Sequence, residues 1–464
     1  MLALLIIGQL LPWLVGCAWI VLLWRKPVPG RVALVLGYGY ACGSLALTLW
    51  MRGLSAVGIA FGWVSIAAPI LAATLIAAWL FWPKAVNAPS PPSGEIDAVV
   101  GPGRLSSEKW LWWMFLTLIA VHLVLAGLEI LWRPLFPWDA WTQWATKARV
   151  WYEFLRIVPF TEFPAWLAGN SFTDAVPSYP ANLPLLQVWA CIALGRWDDS
   201  LMNLPSLSFA LALGLGFYGQ LRYAGYGALF SIAGTYAVVS LPFVDTHIAL
   251  AGYADLPLAV YYGLAAIALW QWSDSRDRAQ LVFALVLAAA CPLTKNPGWM
   301  WILTLVPAWI IAVRPKHGLR IVCGLGLAAI LALLLIIGSD VSIFSYRLGA
   351  TFHPIWEPLW QNYFEFANWH LLWYLLPVLL GLNYRRLLLP PLLAGTLTVA
   401  GGVAFLFVVF SFSNAANWVA DYSTVNRATL HLAPLLVFYM MRLGHCATKV
   451  RHVSADAQEA PHSI

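Results

Sequence analysis

An all-α, polytopic membrane fold is predicted by three features of this 464-residue sequence. Apolar residues make up 61% of it and charged residues only 10%, against about 45–50% and 25% in soluble globular domains. Apolar runs of roughly 20 residues recur along the whole chain, the length a helix needs to cross a hydrocarbon core about 30 Å thick. Short alternating segments are scarce, so helices rather than a barrel must satisfy the backbone in lipid.

Taken in order, the runs predict spans at 2–24, 32–50, 55–82, 110–132, 201–219, 227–244, 254–271, 281–294, 298–313, 321–338, 369–383, 387–411 and 428–442, about thirteen transmembrane helices. Leu14-Val15-Gly16-Cys17 imitates a lipoprotein cleavage box, but the chain stays apolar to Leu23, so a retained first span is expected. Residues 183–195 are too short to cross and read as a juxtamembrane or re-entrant helix. As one helix 281–313 would exceed the bilayer, and Pro292 and Pro297-Gly298 predict that it breaks into a shallow hairpin. The linker 83–109, with Asn87-Ala88-Pro89-Ser90-Pro91-Pro92-Ser93-Gly94, separates a three-span unit (1–82) from a membrane module at 110–313; C-terminal helices (314–442) and a tail (443–464) follow.

Charge sets the orientation. With this span list, 17 of the 26 Lys and Arg gather on one side and 9 on the other. The richer side is cytoplasmic by the positive-inside rule, which puts the N-terminus outside and the C-terminus inside the cytoplasmic membrane. Residues 133–200 then form a long first outer loop. The net charge of +6 comes from scattered basic residues, which excludes a nucleic-acid partner and leaves the lipid bilayer as the first one. The six cysteines form no close pair, so neither a disulfide framework nor a zinc site is expected.

Twelve of the 20 acidic residues, Asp340 among them, fall on the outer side. Glu129, four residues before Arg133, reads as a helix-end pair. The densest cluster is Pro137-Trp138-Asp139-Ala140-Trp141-Thr142-Gln143-Trp144-Ala145-Thr146-Lys147. Pro137 predicts a helix start with Asp139 near its N-terminus, and Trp138, Trp141 and Trp144 recur every three residues as one interfacial aromatic stripe. Asp139 reads either as a helix cap or as a carboxylate placed to deprotonate a hydroxyl. Asp245, Tyr253 and Asp255 form a second outer cluster, in which Asp255 begins a span and so also reads as a cap. Lys295 sits at the tip of the broken hairpin, either snorkelling or meeting a phosphate. Arg427, ahead of the last span, is a second phosphate candidate, because guanidinium grips phosphate in a fork.

Several motifs follow one another in a fixed order: a carboxylate after an early span, a long first outer loop, an Asp in a later outer loop, Thr294-Lys295-Asn296-Pro297-Gly298, and an Arg before a late span. In this order the chain resembles the GT-C glycosyltransferases, including the protein O-mannosyltransferase and lipid A aminoarabinose transferase families. The resemblance covers about 110–442 and leaves the first three spans unmatched. It implies a polyprenyl-phosphate sugar donor and a lipid, glycan or protein acceptor, with a divalent metal as an open possibility and no certain cofactor. Asp139 takes the place of the general base. Trp138, Trp141, Tyr179, Asp245, Tyr253 and Asp255 are then expected at the substrate, and Lys147, Lys295 and Arg427 at the phosphate. Ser178-Tyr179-Pro180 resembles the loop segment that precedes the short helix in the family. Two positions depart from it: Ala140 follows Asp139 where many relatives pair two acids, and Ser178-Tyr179 stand where the aminoarabinose enzymes carry Glu-Lys.

Two other classes compete. A transporter or flippase of lipid-linked sugars would show internal repeats and midplane charges, and an O-antigen polymerase or ligase would carry its largest loop late in the chain. A structural scaffold would not need the outer acidic cluster.

Overall fold

The computed structural model describes residues 2–86, 106–169, 171–337, 342–343, 346–349 and 351–459. Most of the 83–109 linker, Asp340 and the end of the chain lie outside the described residues. Helix dominates; the strands among the described residues are one antiparallel pair, Ser342–Ile343 with Tyr346–Arg347.

Among the described residues, seven helices are long and apolar enough to cross a membrane: Leu2–Leu23, Arg31–Ala56, Trp63–Phe81, Ser107–Trp132, Leu201–Tyr223, Gly318–Leu335 and Leu393–Phe412. An eighth arises if Ala228–Val239 and Pro242–Ala249, bent by 63°, count as one span. Pro242, which has no N–H to continue the ladder, stands at this bend inside the span predicted at 227–244. The remaining predicted spans are helical but shorter or more polar. Arg278–Thr294 and Leu372–Asn383 have 17 and 12 residues, and Asp255–Ser275 carries polar groups at both ends. The stretch 281–313 breaks as its prolines predict, into Arg278–Thr294, Gly298–Leu303 and Val306–Val313.

In the order used below, α1 is Leu2–Leu23, α2 Arg31–Ala56, α3 Trp63–Val86, α4 Ser106–Trp132, α5 Ala145–Phe154, α6 Phe163–Leu167, α7 Asn182–Leu194 and α8 Leu204–Tyr223. Next come α9 Ala228–Val239, α10 Pro242–Ala249, α11 Asp255–Ser275 and α12 Arg278–Thr294.

The described chain divides into two compact units. The first comprises Met1–Ser240, Val244–Ala265 and Val282–Trp299. This division differs from the boundary drawn at the linker, because α1–α3 belong to the same unit as the 133–200 segment. Lipid offers no hydrophobic drive for helix association, so close packing and interhelical hydrogen bonds must supply it. At Gly43 of α2, a Cβ would lie 1.8 Å from the Pro12 carbonyl oxygen of α1, a separation only glycine permits. Tyr38 Oη donates to the Leu264 carbonyl at 2.9 Å and accepts from Gln220 Nε2 at 2.6 Å. Ser44 and Tyr261 share a 2.8 Å hydrogen bond. Trp189 of α7 donates to the Gly8 carbonyl at 2.9 Å and stacks on Trp63.

The second unit comprises Leu241–Phe243, Ala266–Leu281 and Met300–Ile464. Trp270 organises part of it: its Nε1 donates to the Pro391 carbonyl at 2.8 Å, and the Arg442 guanidinium lies 4.5 Å from its ring while reaching Asp274 at 2.9 Å. Trp301 donates to His431 Nδ1 at 3.0 Å and Trp369 to Asn426 Oδ1 at 2.8 Å, so these polar groups are buried with partners.

Candidate functional site

The site is built in the first unit, where the 133–200 segment folds over the ends of α2, α11 and α12. Glu129 and Arg133 pair at the end of α4. The chain then turns at Pro137, whose carbonyl accepts from the amides of Ala140 at 3.0 Å and Trp141 at 3.3 Å. Asp139 precedes a π-helical turn, Ala140–Trp144, is half-buried, and does not cap that turn through its side chain.

The π turn corrects the expected stripe. It holds more residues per turn than an α-helix, so a spacing of three no longer keeps side chains on one face. Trp138 and Trp141 are exposed and meet edge to face, with ring centroids 5.1 Å apart. Trp144 is fully buried and stacks on Tyr179 at 4.9 Å, with the planes 11° apart. It is a core residue of the loop rather than an interfacial anchor.

Lys147 is also placed differently from the expectation. Its ammonium lies 3.1 Å from Asp174 Oδ2, donates to the carbonyls of Val176 at 2.8 Å and Tyr179 at 3.4 Å, and its side chain is 1% exposed. Burial pushes its pKa down and that of Asp174 up, and the mutual attraction only partly offsets this. Lys147 is thus enclosed in fastening residues 174–179 to α5, closed to a phosphate.

Tyr179 leads into α7 and joins the buried cluster of Trp144, Leu183 and Ala254. The turn before α11 reaches the same place. Gly252 has φ of 103°, and a Cβ there would come within 2.9 Å of the Ala140 side chain, so the chain passes directly beside the residue after Asp139. Asp255, at the start of α11, is fully buried and accepts from Lys295 Nζ at 2.6 Å. The two residues expected at substrate and phosphate therefore pair with each other.

Residues around the break after α12 complete the junction. Asn182 Nδ2 donates to Thr294 Oγ1 at 3.3 Å, and Asn296 Nδ2 donates to Ser178 Oγ at 3.4 Å. Arg52, near the end of α2, donates through Nη2 to Asn182 Oδ1 at 3.1 Å and to the Leu293 carbonyl at 3.4 Å. Sequence reasoning passed over Arg52 and Asn182 and noted Thr294 only as part of the motif around Lys295. Arg52 carried a usable signal, as an ionisable residue inside an apolar helix marks function by default.

Other expected residues make different contacts. Asp245 pairs with His122 of α4, Oδ1 to Nε2 at 3.0 Å. Tyr253 packs beside the His247 ring at 5.6 Å. Arg427 belongs to the second unit, half-buried in the helix Thr424–Glu459, where Asp421 Oδ1 accepts from the amides of Ser423 and Thr424. Among the described residues, no group of three or more His, Cys, Asp or Glu gathers as metal ligands would. No family model, curated protein or solved structure matches the chain.

Proposed function

We propose that this chain is an inverting glycosyltransferase of the GT-C type. It spans the cytoplasmic membrane about thirteen times with its active face outward. It moves a sugar from a polyprenyl-phosphate carrier to an acceptor hydroxyl. One observation carries the reading: segments far apart in sequence (137–144, 174–182, 252–255 and 294–296) meet around Trp144, Tyr179, Asp255 and Lys295. They carry the motifs whose order resembles that superfamily, except the last, the Arg before a late span, which is Arg427 of the second unit.

In this reading Asp139 accepts the proton of the acceptor hydroxyl. The hydroxyl oxygen bonds to the anomeric carbon as the bond from that carbon to the phosphate oxygen breaks. The leaving phosphate takes the electron pair and needs nearby positive charge, a task of electrostatic stabilisation. Trp138 and Trp141, both exposed beside Asp139, offer flat faces to a sugar. General base catalysis contributes about 10²- to 10⁴-fold, so Asp139→Asn is expected to lower transfer by that factor with folding retained. Mass spectrometry of envelope glycans and lipids, with and without the gene and with this variant, tests both levels. Unchanged glycans on loss of the gene sink the reading. Full transfer by a folded Asp139→Asn protein sinks the base assignment alone.

A further inference from the structure

We infer that Arg52, contributed by the N-terminal helices that lie outside the superfamily resemblance, is the principal ligand of a phosphate ester at this junction. The identification of that ester with the lipid carrier rests on the function proposed above.

The first argument is charge balance. Lys147 faces Asp174, and Lys295 faces Asp255. Arg52 meets no carboxylate among the described residues: its guanidinium is held by one amide oxygen and one backbone carbonyl, both neutral. Its charge is therefore not met by a directly bonded carboxylate, as those of Lys147 and Lys295 are. A phosphodiester bears one negative charge and presents two free oxygens to a guanidinium fork.

The second argument is geometric. Arg52 Nε is buried without an acceptor, although a guanidinium brings five N–H groups to be satisfied. Asn182, which receives the Nη2 bond, is the first residue of the 13-residue helix α7, whose N-terminus has no side-chain cap. Its dipole, with the amides of Asn182 and Leu183 ahead of Pro184, favours an anion beside Arg52. A purely structural role, as a cation at the C-terminal end of α12 bonded to the Leu293 carbonyl, uses one nitrogen and leaves the Nε–H and the helix N-terminus unexplained.

The test uses full-length protein in nanodiscs of zwitterionic lipid. Binding of polyprenyl phosphate, of the polyprenol with the same tail, and of inorganic phosphate is followed by native mass spectrometry. Wild type is expected to prefer the phosphate lipid over the alcohol by on the order of tenfold or more, the worth of a charge-assisted bond. Arg52→Gln should abolish that preference and Arg52→Lys retain part of it. Asn182→Asp offers Arg52 an internal carboxylate and gives up only the 3.3 Å donation to Thr294 Oγ1; it should fold and lose the preference as well. Displacement of the lipid by millimolar inorganic phosphate supports the phosphate site and identifies a soluble ester as its source. Equal affinity of wild type, Arg52→Gln and Asn182→Asp for the phosphate lipid, each binding the alcohol more weakly, overturns the Arg52 inference and leaves the donor reading standing. No preference for phosphate over alcohol in wild type overturns both.

Discussion

Two buried ion pairs in the first unit look alike and do different work. Lys147–Asp174 lies within one segment, its ammonium also bonded to two backbone carbonyls and its side chains 1% and 0% exposed. Lys295–Asp255 joins the start of α11 to the break after α12, with the lysine side chain 9% exposed. The first is closed on every side and fixes a loop. The second sits where a helix is interrupted, next to polar groups from two other segments, so its lysine can still influence a ligand that arrives there. In such a fold, a buried charge pair acquires function from what adjoins it, since the pair itself contributes little net stability.

Breaking one partner is expected to give the largest effect. Lys295→Met leaves Asp255 buried without its cation, which costs about 3–5 kcal/mol and should appear as a large fall in Tm in nanodiscs together with loss of transfer. The double variant Asp255→Asn, Lys295→Gln should recover most of the stability while transfer stays low. An intermediate outcome is expected for the other pair. Lys147→Met with Asp174→Leu removes both charges and should be near neutral in stability, within about 1–2 kcal/mol, with transfer retained. If that double variant loses transfer while keeping its Tm, the two pairs are equivalent and the contrast fails. The smallest effect is on pH. Because burial raises the pKa of Asp174, the folded state binds its proton more readily than the unfolded state. Its stabilising contribution is therefore present below the unfolded pKa and lost as pH rises through the folded one. Lowering the pH toward the ordinary carboxylate range should then favour the fold through this residue. Comparing Tm against pH for wild type and Asp174→Asn checks the sign.

Helix placement was readable from apolarity because lipid imposes it. The short helix near 183–195 was found as Asn182–Leu194, and the Glu129–Arg133 pair formed as its spacing implied. Span starts were read too early where apolar residues mix with helix breakers. The run from Ser55 contains Gly58 and Gly62 and becomes helical at Trp63; the run from residue 387 contains Pro390-Pro391 and becomes helical at Leu393. At the site, sequence could nominate Asp255, Lys295 and Tyr179 but could not tell which would pair. Partners such as Lys147 and Asp174, or Arg52 and Asn182, are 27 and 130 residues apart. Nothing local encodes such distances. The burial of Trp144 was hidden for another reason: a π turn leaves no periodic trace over five residues.

The seam between the first helices and the rest of the first unit has a consequence for biosynthesis. Tyr38 finds its carbonyl partner 226 residues later, and Arg52 finds one of its two acceptors 241 residues later. At a translation rate of about 5–20 residues per second, that is a wait of roughly 10–50 s. For that interval α1 and α2 stand in the membrane with a phenol and a guanidinium still lacking their final partners. Each newly made chain thus passes through a partly assembled stage in which insertion machinery or a membrane protease has time to act. That stage closes once α7, α11 and the end of α12 have emerged and the last acceptors are in reach.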